Sequence, residues 1–137
     1  MTEPTLEMFF KDPIISVNET ASMQMVMDLM KHNRIGHILV LDDDNNLSGI
    51  ISRNDVYEKL HYVSTHTSGV QYSKQTLEHM SAKDIMTEKP VCLQSNEPVD
   101  KAIQILLEEK FHAIPILEGK EVKGIVTALD LLDYFHD

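Results

Sequence analysis

Apolar residues recur at helical spacing in two stretches of the chain. In MQMVMDLM they lie at i, i+3, i+4 and i+7, which places them on one face of a helix. A second stretch, 76 positions further on, repeats the spacing in the same phase. The two stripes are Met23, Val26, Met27 and Met30, and then Val99, Ala102, Ile103 and Leu106. The pattern predicts amphipathic helices over about 22–33 and 98–109.

Two pairs of short apolar runs follow these stripes. HILVL at 37–41 corresponds to AIPIL at 113–117, and the stretch at 48–52 corresponds to the one at 122–126. Asp, Asn and Gly residues separate the members of each pair, which is typical of β-hairpins. A short strand is predicted after Pro13 and after Pro90, and a short helix over 53–62 and over 128–135. Each half of the chain therefore predicts the order strand–helix–strand–strand–helix.

The two halves are copies of one unit, which indicates a mixed α/β (α+β) fold. We assign residues 1–62 to the first repeat, 63–80 to a linker and 81–137 to the second repeat. The stretch at about 61–76 is polar and rich in Ser and Thr, so it predicts a mobile connection rather than a third element. Ser81 is expected to cap a short helix in SAKDIM.

The charge balance limits the possible partners. The 137 residues carry a formal net charge of −10, so the surface repels nucleic-acid phosphates and anionic membranes. No run approaches the roughly 18 apolar residues of a membrane span, and MTEPTLEMFF lacks the features of a signal peptide. We therefore expect a cytoplasmic protein that binds neither nucleic acid nor membrane. The single cysteine, Cys92, excludes an internal disulfide.

A hydroxyl residue and an aspartate three positions later follow the last apolar run of each copy. GIISRNDV contains Ser52 and Asp55, and GIVTALDL contains Thr127 and Asp130. One interpretation is a capping box, in which these side chains satisfy amides at the helix start. The other is a ligand site, because a helix N-terminus attracts phosphate and an aspartate can accept hydrogen bonds from a ribose diol. The spacing leaves both interpretations open, and the two can coexist.

Other polar clusters indicate no separate chemistry. The seven histidines lack the spacing of a zinc site, and the run Asp42-Asp43-Asp44 lacks the spaced ligands of a Ca²⁺ loop. The chain has no Gly-rich phosphate loop and no nucleophile beside a paired base. We therefore expect no metal site, no catalytic residue and no enzymatic activity.

The ordered set of motifs resembles the CBS domain, named after cystathionine β-synthase, present twice as in a Bateman module. The resemblance is carried by KDIMTEKPV, the two helical stripes, HILVL and AIPIL, and above all GIISRNDV and GIVTALDL. It implies two units packed about a pseudo-twofold axis and frequent dimerisation of such pairs. It also implies a sensor of adenine nucleotides or adenosyl ligands that regulates an attached or partner protein.

Carried over position by position, the resemblance implies two shared clefts of unequal quality. The better cleft combines Ser52, Arg53, Asp55, Thr87, Val91, Phe111, His112 and Ala113. The weaker cleft combines Ile14, Ile35, Gly36, His37, Thr127 and Asp130. Arg53 supplies a cation for phosphate in the first. In the second, Ala128 and Leu129 are the spacers and Phe10 stands where Thr87 has its counterpart. Core packing is the alternative role for Phe111 and Ile35, and a solvated helix position is the alternative for Arg53.

These inferences favour a regulatory module that binds AMP, ADP, ATP or S-adenosylmethionine and requires no cofactor. The weaker cleft is expected to be empty or to take a neutral adenosyl group. We expect a homodimer, and because the 137 residues contain no second domain, we expect a separate regulated partner. One alternative is a dimerisation module that binds no nucleotide. Another is a Mg²⁺-sensing acidic module.

Overall fold

The computed structural model describes residues 4–11, 13–66, 74–108 and 112–136. Contacts divide the chain into two compact units. The copy-one unit is Ile15–Lys89, and the copy-two unit is Met1–Ile14 together with Pro90–Asp137. Each unit contains most of one sequence repeat.

The copy-one unit is a four-stranded sheet with helices, in the strand order β1-β2-β3-β4. Strand β1 is parallel to β2, and the other pairs are antiparallel. The elements are β1 Ser16–Asn18, α1 Met23–Asn33, β2 His37–Leu41, β3 Leu47–Ser52, α2 Arg53–His66, α3 Lys74–His79, α4 Ala82–Ile85 and β4 Thr87–Glu88.

The copy-two unit has a three-stranded sheet in the order β5-β6-β7, with β5 parallel to β6 and β6 antiparallel to β7. Its elements are a 3₁₀ helix Leu6–Phe9, β5 Leu93–Gln94, α5 Val99–Leu107, β6 Ala113–Glu118, β7 Glu121–Thr127 and α6 Ala128–Phe135. The mixed α/β class and the order strand–helix–strand–strand–helix are confirmed in both copies.

Both predicted amphipathic helices are present, and their starts have clear local causes. Ser22 caps α1, because its Oγ accepts a hydrogen bond from the amide of Met25 at 3.1 Å. Helix α1 ends at Arg34, whose φ of 55° lies in the left-handed region. Pro98, with φ −73°, is the N-cap residue of α5. The stripe residues are buried or partly buried in the core of their own unit.

The prediction of an irregular connection at about 61–76 is wrong where the structure describes it. Helix α2 continues to His66, and α3 begins at Lys74. The sequence from Arg53 to His66 contains no proline or glycine to end the helix. Leu77 of α3 packs against the copy-one core, which explains why a short polar segment is helical. The remainder of the predicted connection, 67–73, lies outside the described residues.

Each repeat has its own apolar core. The copy-one core contains Val17, Met23, Val26, Met30, Ile38, Val40, Ile51, Val56, Ala82 and Ile85. The copy-two core contains Leu6, Phe9, Leu93, Val99, Ala102, Ile114, Ile116, Val126 and Leu131.

The first residues of each sequence repeat pack on the other repeat. Residues 82–88, near the start of the second repeat, lie in the copy-one unit, where Glu88 pairs with Gly49. Residues 5–11, the N-terminal segment, lie in the copy-two unit, where Phe10 pairs with Gly124. The sequence repeats and the compact units therefore have different bounds.

A glycine permits this close approach in each unit. A methyl group at Gly124 would lie 2.5 Å from the carbonyl oxygen of Phe9. A methyl group at Gly49 would lie 2.6 Å from Met86 Sδ and 2.7 Å from the carbonyl oxygen of Thr87. The glycine that opens each GI motif is thus required by close packing: Gly49 against residues 82–88, and Gly124 against residues 5–11.

Candidate functional site

Ser52 and Asp55 form a reciprocal cap at the start of α2. The amide of Ser52 donates to Asp55 Oδ2 at 2.7 Å, and the amide of Asp55 donates to Ser52 Oγ at 3.1 Å. Strand β3 ends at Ser52 and α2 begins at the next residue, so the motif lies at the junction of the two elements. The capping interpretation is confirmed for this copy.

Thr127 and Asp130 form the same cap at the start of α6. The amide of Thr127 donates to Asp130 Oδ2 at 2.8 Å, and the amide of Asp130 donates to Thr127 Oγ1 at 3.1 Å. In both copies the cap uses one carboxylate oxygen, Oδ2. The hydroxyl oxygen accepts a hydrogen bond from an amide, and the hydroxyl group can still donate a hydrogen bond to a further group. Each motif therefore keeps hydrogen-bonding capacity after capping.

The second carboxylate oxygen distinguishes the two copies. Lys11 Nζ lies 3.9 Å from Asp130 Oδ1, and their side chains are 45% and 29% exposed. No hydrogen bond or ion pair of Asp55 Oδ1 is found within 4–11, 13–66, 74–108 and 112–136. Within the described residues, Oδ1 of Asp55 has no hydrogen bond or ion pair, whereas Oδ1 of Asp130 faces a cation.

The β2–β3 register places the start of β2 beside the copy-one motif. His37 pairs with Ser52, and the amide of Arg53 donates to the carbonyl of Gly36 at 2.9 Å. Arg53 Nη2 also lies 3.4 Å from the carbonyl oxygen of Ile35. Three residues predicted for the weaker cleft, Ile35, Gly36 and His37, are therefore neighbours of the Ser52 motif in their own copy.

The same register relation holds in the copy-two unit, where Ala113 pairs with Thr127. Thr87 lies on β4 beside β3, with its backbone paired to Ile50 and its side chain exposed. The equivalence of Phe10 with Thr87 is wrong by one position. Glu88 and Phe10 are the residues that pair with the two glycines, so Phe9 is the structural counterpart of Thr87.

The predicted clefts each draw on both units. In the better set, Ser52, Arg53, Asp55 and Thr87 belong to the copy-one unit, whereas Val91, His112 and Ala113 belong to the copy-two unit. In the weaker set, Ile14, Thr127 and Asp130 belong to the copy-two unit. Phe111 lies outside the described residues. The grouping across copies stays a prediction.

Arg53 also lines a groove of ≈ 460 Å³ between α1 and α2. Its other lining residues are Gln24, Met27, Asp28, Met30, Lys31, Val56 and Tyr57. The lining carries two cations, Arg53 and Lys31, and one carboxylate, Asp28, so its formal charge is positive although the net charge of the chain is −10.

The remaining polar candidates have local structural roles. Asp42 Oδ1 accepts hydrogen bonds from the amides of Asp44 and Asn46, both at 2.9 Å, within the β2–β3 turn. Burial raises the pKa of the half-buried Cys92 thiol, which disfavours the reactive thiolate. No cluster of three or more metal-ligating side chains occurs in the part of the chain that the structure describes. Among those same residues, no helix combines the length and apolarity needed to cross a bilayer.

The fold and the capped motif in each copy show that the chain belongs to a class of tandem-repeat proteins. Comparison with known families identifies that class. The family model for the CBS domain matches residues 7–62 and 82–137. The chain belongs to the CBS domain family and contains two copies of the domain.

Known proteins resemble the chain over most of its length. An uncharacterised protein of Methanocaldococcus jannaschii, MJ1404, is 25% identical over 126 residues, which are 90% of this chain and 30% of that protein. The chain spans about a third or less of the first curated relatives that it matches.

Two solved structures show the same fold. The CBS domain pair of protein MJ0100, in complex with 5′-methylthioadenosine and S-adenosyl-L-methionine, has a TM-score of 0.79 at 20% identity. The alignment covers 98% of this chain and 97% of that one. CBSX2 in complex with AMP has a TM-score of 0.73 at 21% identity, with 95% and 94% covered.

Proposed function

We propose that the chain is a regulatory module that binds an adenosine nucleotide or adenosyl ligand and has no catalytic activity of its own. The observation that carries the proposal is the geometry of Asp55. Its Oδ2 closes the helix cap, while Oδ1 is available to accept from a ribose diol. Ser52 Oγ accepts a hydrogen bond in the cap and can still donate one, through its own hydroxyl hydrogen, to a phosphate oxygen.

The surroundings of Ser52 favour an anionic group at this end of the ligand. The N-terminus of the 14-residue α2 attracts negative charge, and Arg53 is the first helical residue. Thr87 adds an exposed hydroxyl two strand positions from Ser52 along the paired sheet. AMP, ADP and ATP are therefore the first ligands to test.

The structural neighbours support the adenosyl class without selecting a ligand. One was solved with AMP, and the other was solved with 5′-methylthioadenosine and S-adenosyl-L-methionine. Those ligands share adenine and a ribose ring with its 2′,3′-diol, and they differ in the group and the charge at the 5′ position. The predicted adenine-binding residues remain proposals: Val91, Phe111, His112 and Ala113 for the better cleft, and Ile14, Ile35, Gly36 and His37 for the weaker one.

A thermal-shift and calorimetry panel of AMP, ADP, ATP and S-adenosylmethionine tests the proposal. A bound ligand at a hundredfold excess over its dissociation constant should raise stability by about 2.7 kcal/mol. Asp55→Ala should remove most of the response, whereas Asp43→Ala, on the β2–β3 turn, should leave it intact. Absence of any response in the unmodified protein, or an equal response after Asp55→Ala combined with Asp130→Ala, would contradict ligand binding.

We further propose that the module is a homodimer and transmits the ligand state to a separate, unidentified protein. Helix α6 carries three exposed apolar side chains on one face, Leu129, Leu132 and Phe135, at 74%, 69% and 61% exposure. Such a stripe is typical of a surface that is covered in the assembled protein. A cytoplasmic location is part of the same proposal.

The second candidate function is dimerisation without a ligand, and the complete caps favour it. Both aspartates contribute to helix stability whether or not a nucleotide binds. This function predicts a dimer whose dissociation constant is the same with and without AMP. Analytical ultracentrifugation separates the two functions when it is done without nucleotide and with about 1 mM AMP, a concentration on the order of physiological ligand levels.

A further inference from the structure

The copy-two motif lacks the cation that follows the hydroxyl residue in copy one. Arg53 follows Ser52 directly, whereas Ala128 follows Thr127. The structure supplies a cation from elsewhere in the unit: Lys11, on the N-terminal segment, places Nζ 3.9 Å from Asp130 Oδ1. The backbone of Lys11 is held on β7, because its amide donates a 3.0 Å hydrogen bond to the carbonyl of Lys123.

We propose that Lys11 determines ligand choice at the copy-two motif and makes this site select phosphorylated over uncharged adenosyl ligands. The inference rests on the proposed function and replaces the expectation that this site is empty or takes a neutral adenosyl group. Asp130 Oδ1 is the oxygen left over from the cap, and it is also the oxygen that Lys11 faces. Ribose binding and the lysine contact therefore involve the same atom.

A phosphate on the ligand changes the competition between the ribose and Lys11 for Asp130 Oδ1. A ligand without an anion takes Oδ1 and leaves the ammonium without its partner. A nucleotide monophosphate offers the ammonium a new anion while the ribose takes Oδ1. The Lys11–Asp130 contact is long and half-exposed, and contacts of this kind are weak, so the lysine can turn without a large loss. At 3.9 Å the ammonium makes no direct hydrogen bond to Asp130 Oδ1, whereas it can donate a direct charge-assisted hydrogen bond to a phosphate oxygen.

Lys11 is suited to this exchange because its backbone and its ammonium are held differently. The backbone is fixed by the bond to Lys123 and by the neighbouring Phe10–Gly124 bridge. The side chain is 45% exposed, so its four-carbon stem can move the ammonium between the carboxylate and a phosphate on the same helix N-terminus. The eight-residue helix α6 adds a favourable field for that phosphate.

The test compares AMP with adenosine in calorimetry, using Asp55→Asn as the background to weaken the copy-one site. We expect the remaining site to bind AMP at least about tenfold more tightly than adenosine. Adding Lys11→Met should remove that preference by weakening AMP about tenfold, while adenosine, which no longer competes with the ammonium for Asp130 Oδ1, should bind as tightly as before or slightly more tightly. Lys123→Met is the matched control: it removes a charge from the same unit, where Lys123 pairs with Glu121 at 3.6 Å, and should leave both affinities unchanged.

Each contrary outcome has a distinct meaning. An unchanged AMP-to-adenosine ratio after Lys11→Met, or tighter binding of both ligands, would overturn the role of Lys11 and indicate that it only covers Asp130. If the unmodified protein binds AMP but the folded Asp55→Asn variant binds neither probe, copy two has no site and this inference fails alone. If the unmodified protein binds neither probe, the proposed function fails and the inference fails with it. Circular dichroism of each variant verifies folding.

Discussion

Asp55 and Asp130 occupy the same position in the two repeats and close the same cap through Oδ2, yet their Oδ1 atoms have different surroundings. Asp55 Oδ1 has no partner within the described residues, whereas Asp130 Oδ1 faces Lys11 at 3.9 Å. The difference does not come from the motif itself, because the cap distances agree within 0.1 Å. It comes from the segment that packs beside each motif.

The two packed segments place equivalent lysines in different ways. Lys11 and Lys89 both donate an amide hydrogen bond to the strand that precedes the motif, to Lys123 and Ser48 respectively. Lys89 adopts a left-handed φ of 49°, and among the described residues it makes no ion pair with Asp55. The aspartate of a duplicated motif can therefore acquire a different electrostatic neighbour while its cap geometry stays the same.

The largest expected effect comes from displacing the N-terminal segment. Gly124→Ala should destabilise the protein by about 3 kcal/mol, because the added methyl meets the Phe9 backbone, which cannot rotate away. Gly49→Ala should cost about 2–3 kcal/mol, because the Met86 side chain can move but the Thr87 carbonyl oxygen, 2.7 Å from the added methyl, belongs to the backbone. Urea unfolding gives both values.

Gly36→Ala is the control for these glycine variants, because a methyl group there meets no atom within 4 Å. Its free energy of unfolding should lie within about 0.5 kcal/mol of the original value. Equal stability of Gly124→Ala and Gly36→Ala would show that the N-terminal segment does not need the close approach to β7.

The next effect concerns the outer faces of the two helices that follow the motifs. Leu132 on α6 and Tyr57 on α2 are equivalent positions, exposed by 69% and 60%. Leu132→Glu should weaken the proposed dimer by about 2 kcal/mol, which is about thirtyfold in dissociation constant. Tyr57→Glu should weaken it less if the apolar stripe of α6 carries the contact. Sedimentation equilibrium measures both, and a monomeric unmodified protein would contradict the dimer.

A smaller effect is expected from removing either cap. Asp55→Ala and Asp130→Ala should each reduce the free energy of unfolding by about 1 kcal/mol, because each leaves an amide at a helix start without its acceptor. The lost Lys11 contact should add little for Asp130→Ala, since the pair is half-exposed. A cost several times larger for Asp130→Ala would show that Lys11 anchors the N-terminal segment through this contact.

The smallest expected effect is the loss of stability in acid, which depends on one carboxylate in each unit, Asp84 and Glu97. The pKa of Asp84 is lowered chiefly by the hydrogen bond from the Ser81 amide, and the pKa of Glu97 is lowered chiefly by the hydrogen bond from Lys101. A pKa lower in the folded protein than in the unfolded chain stabilises the fold at neutral pH. That stabilisation is lost as pH falls below about 4.

Asp84→Asn and Glu97→Gln should therefore make the melting temperature less dependent on pH between about pH 5 and pH 3. The change should be small for both variants, because the two carboxylates are accessible to solvent and screened. A steeper pH dependence in either variant would show that the carboxylate does not stabilise the folded state when ionised.

The sequence predicted the repeated elements well because their signals are local. The i, i+3, i+4, i+7 stripes and the cap at Ser22 determine α1, and the Thr127 motif determines the start of α6 at Ala128. Helix α3 was not predicted, because Leu77 is fixed by packing on the copy-one core rather than by a periodic pattern.

The candidate site was predictable in part for the same reason. Ser52-x-x-Asp55 and Thr127-x-x-Asp130 are local motifs, and both lie where strand meets helix. Lys11 gave no local signal, since it approaches Asp130 from a distant part of the chain. The alignment error at Phe10 had a similar cause: the partner strand, rather than sequence spacing, determines which residue lies opposite Gly124.

The packing of residues 5–11 on the copy-two unit has a consequence for how the chain is made. Residues 5–11 are synthesised before copy one, whereas β7, on which they pack, is synthesised after every element of copy one. We expect copy one to complete its sheet as soon as Glu88 is available, while residues 5–11 cannot dock until β7 has been made. The Lys11–Asp130 contact therefore forms late, and the copy-two motif gains its cation only after the copy-one sheet is complete.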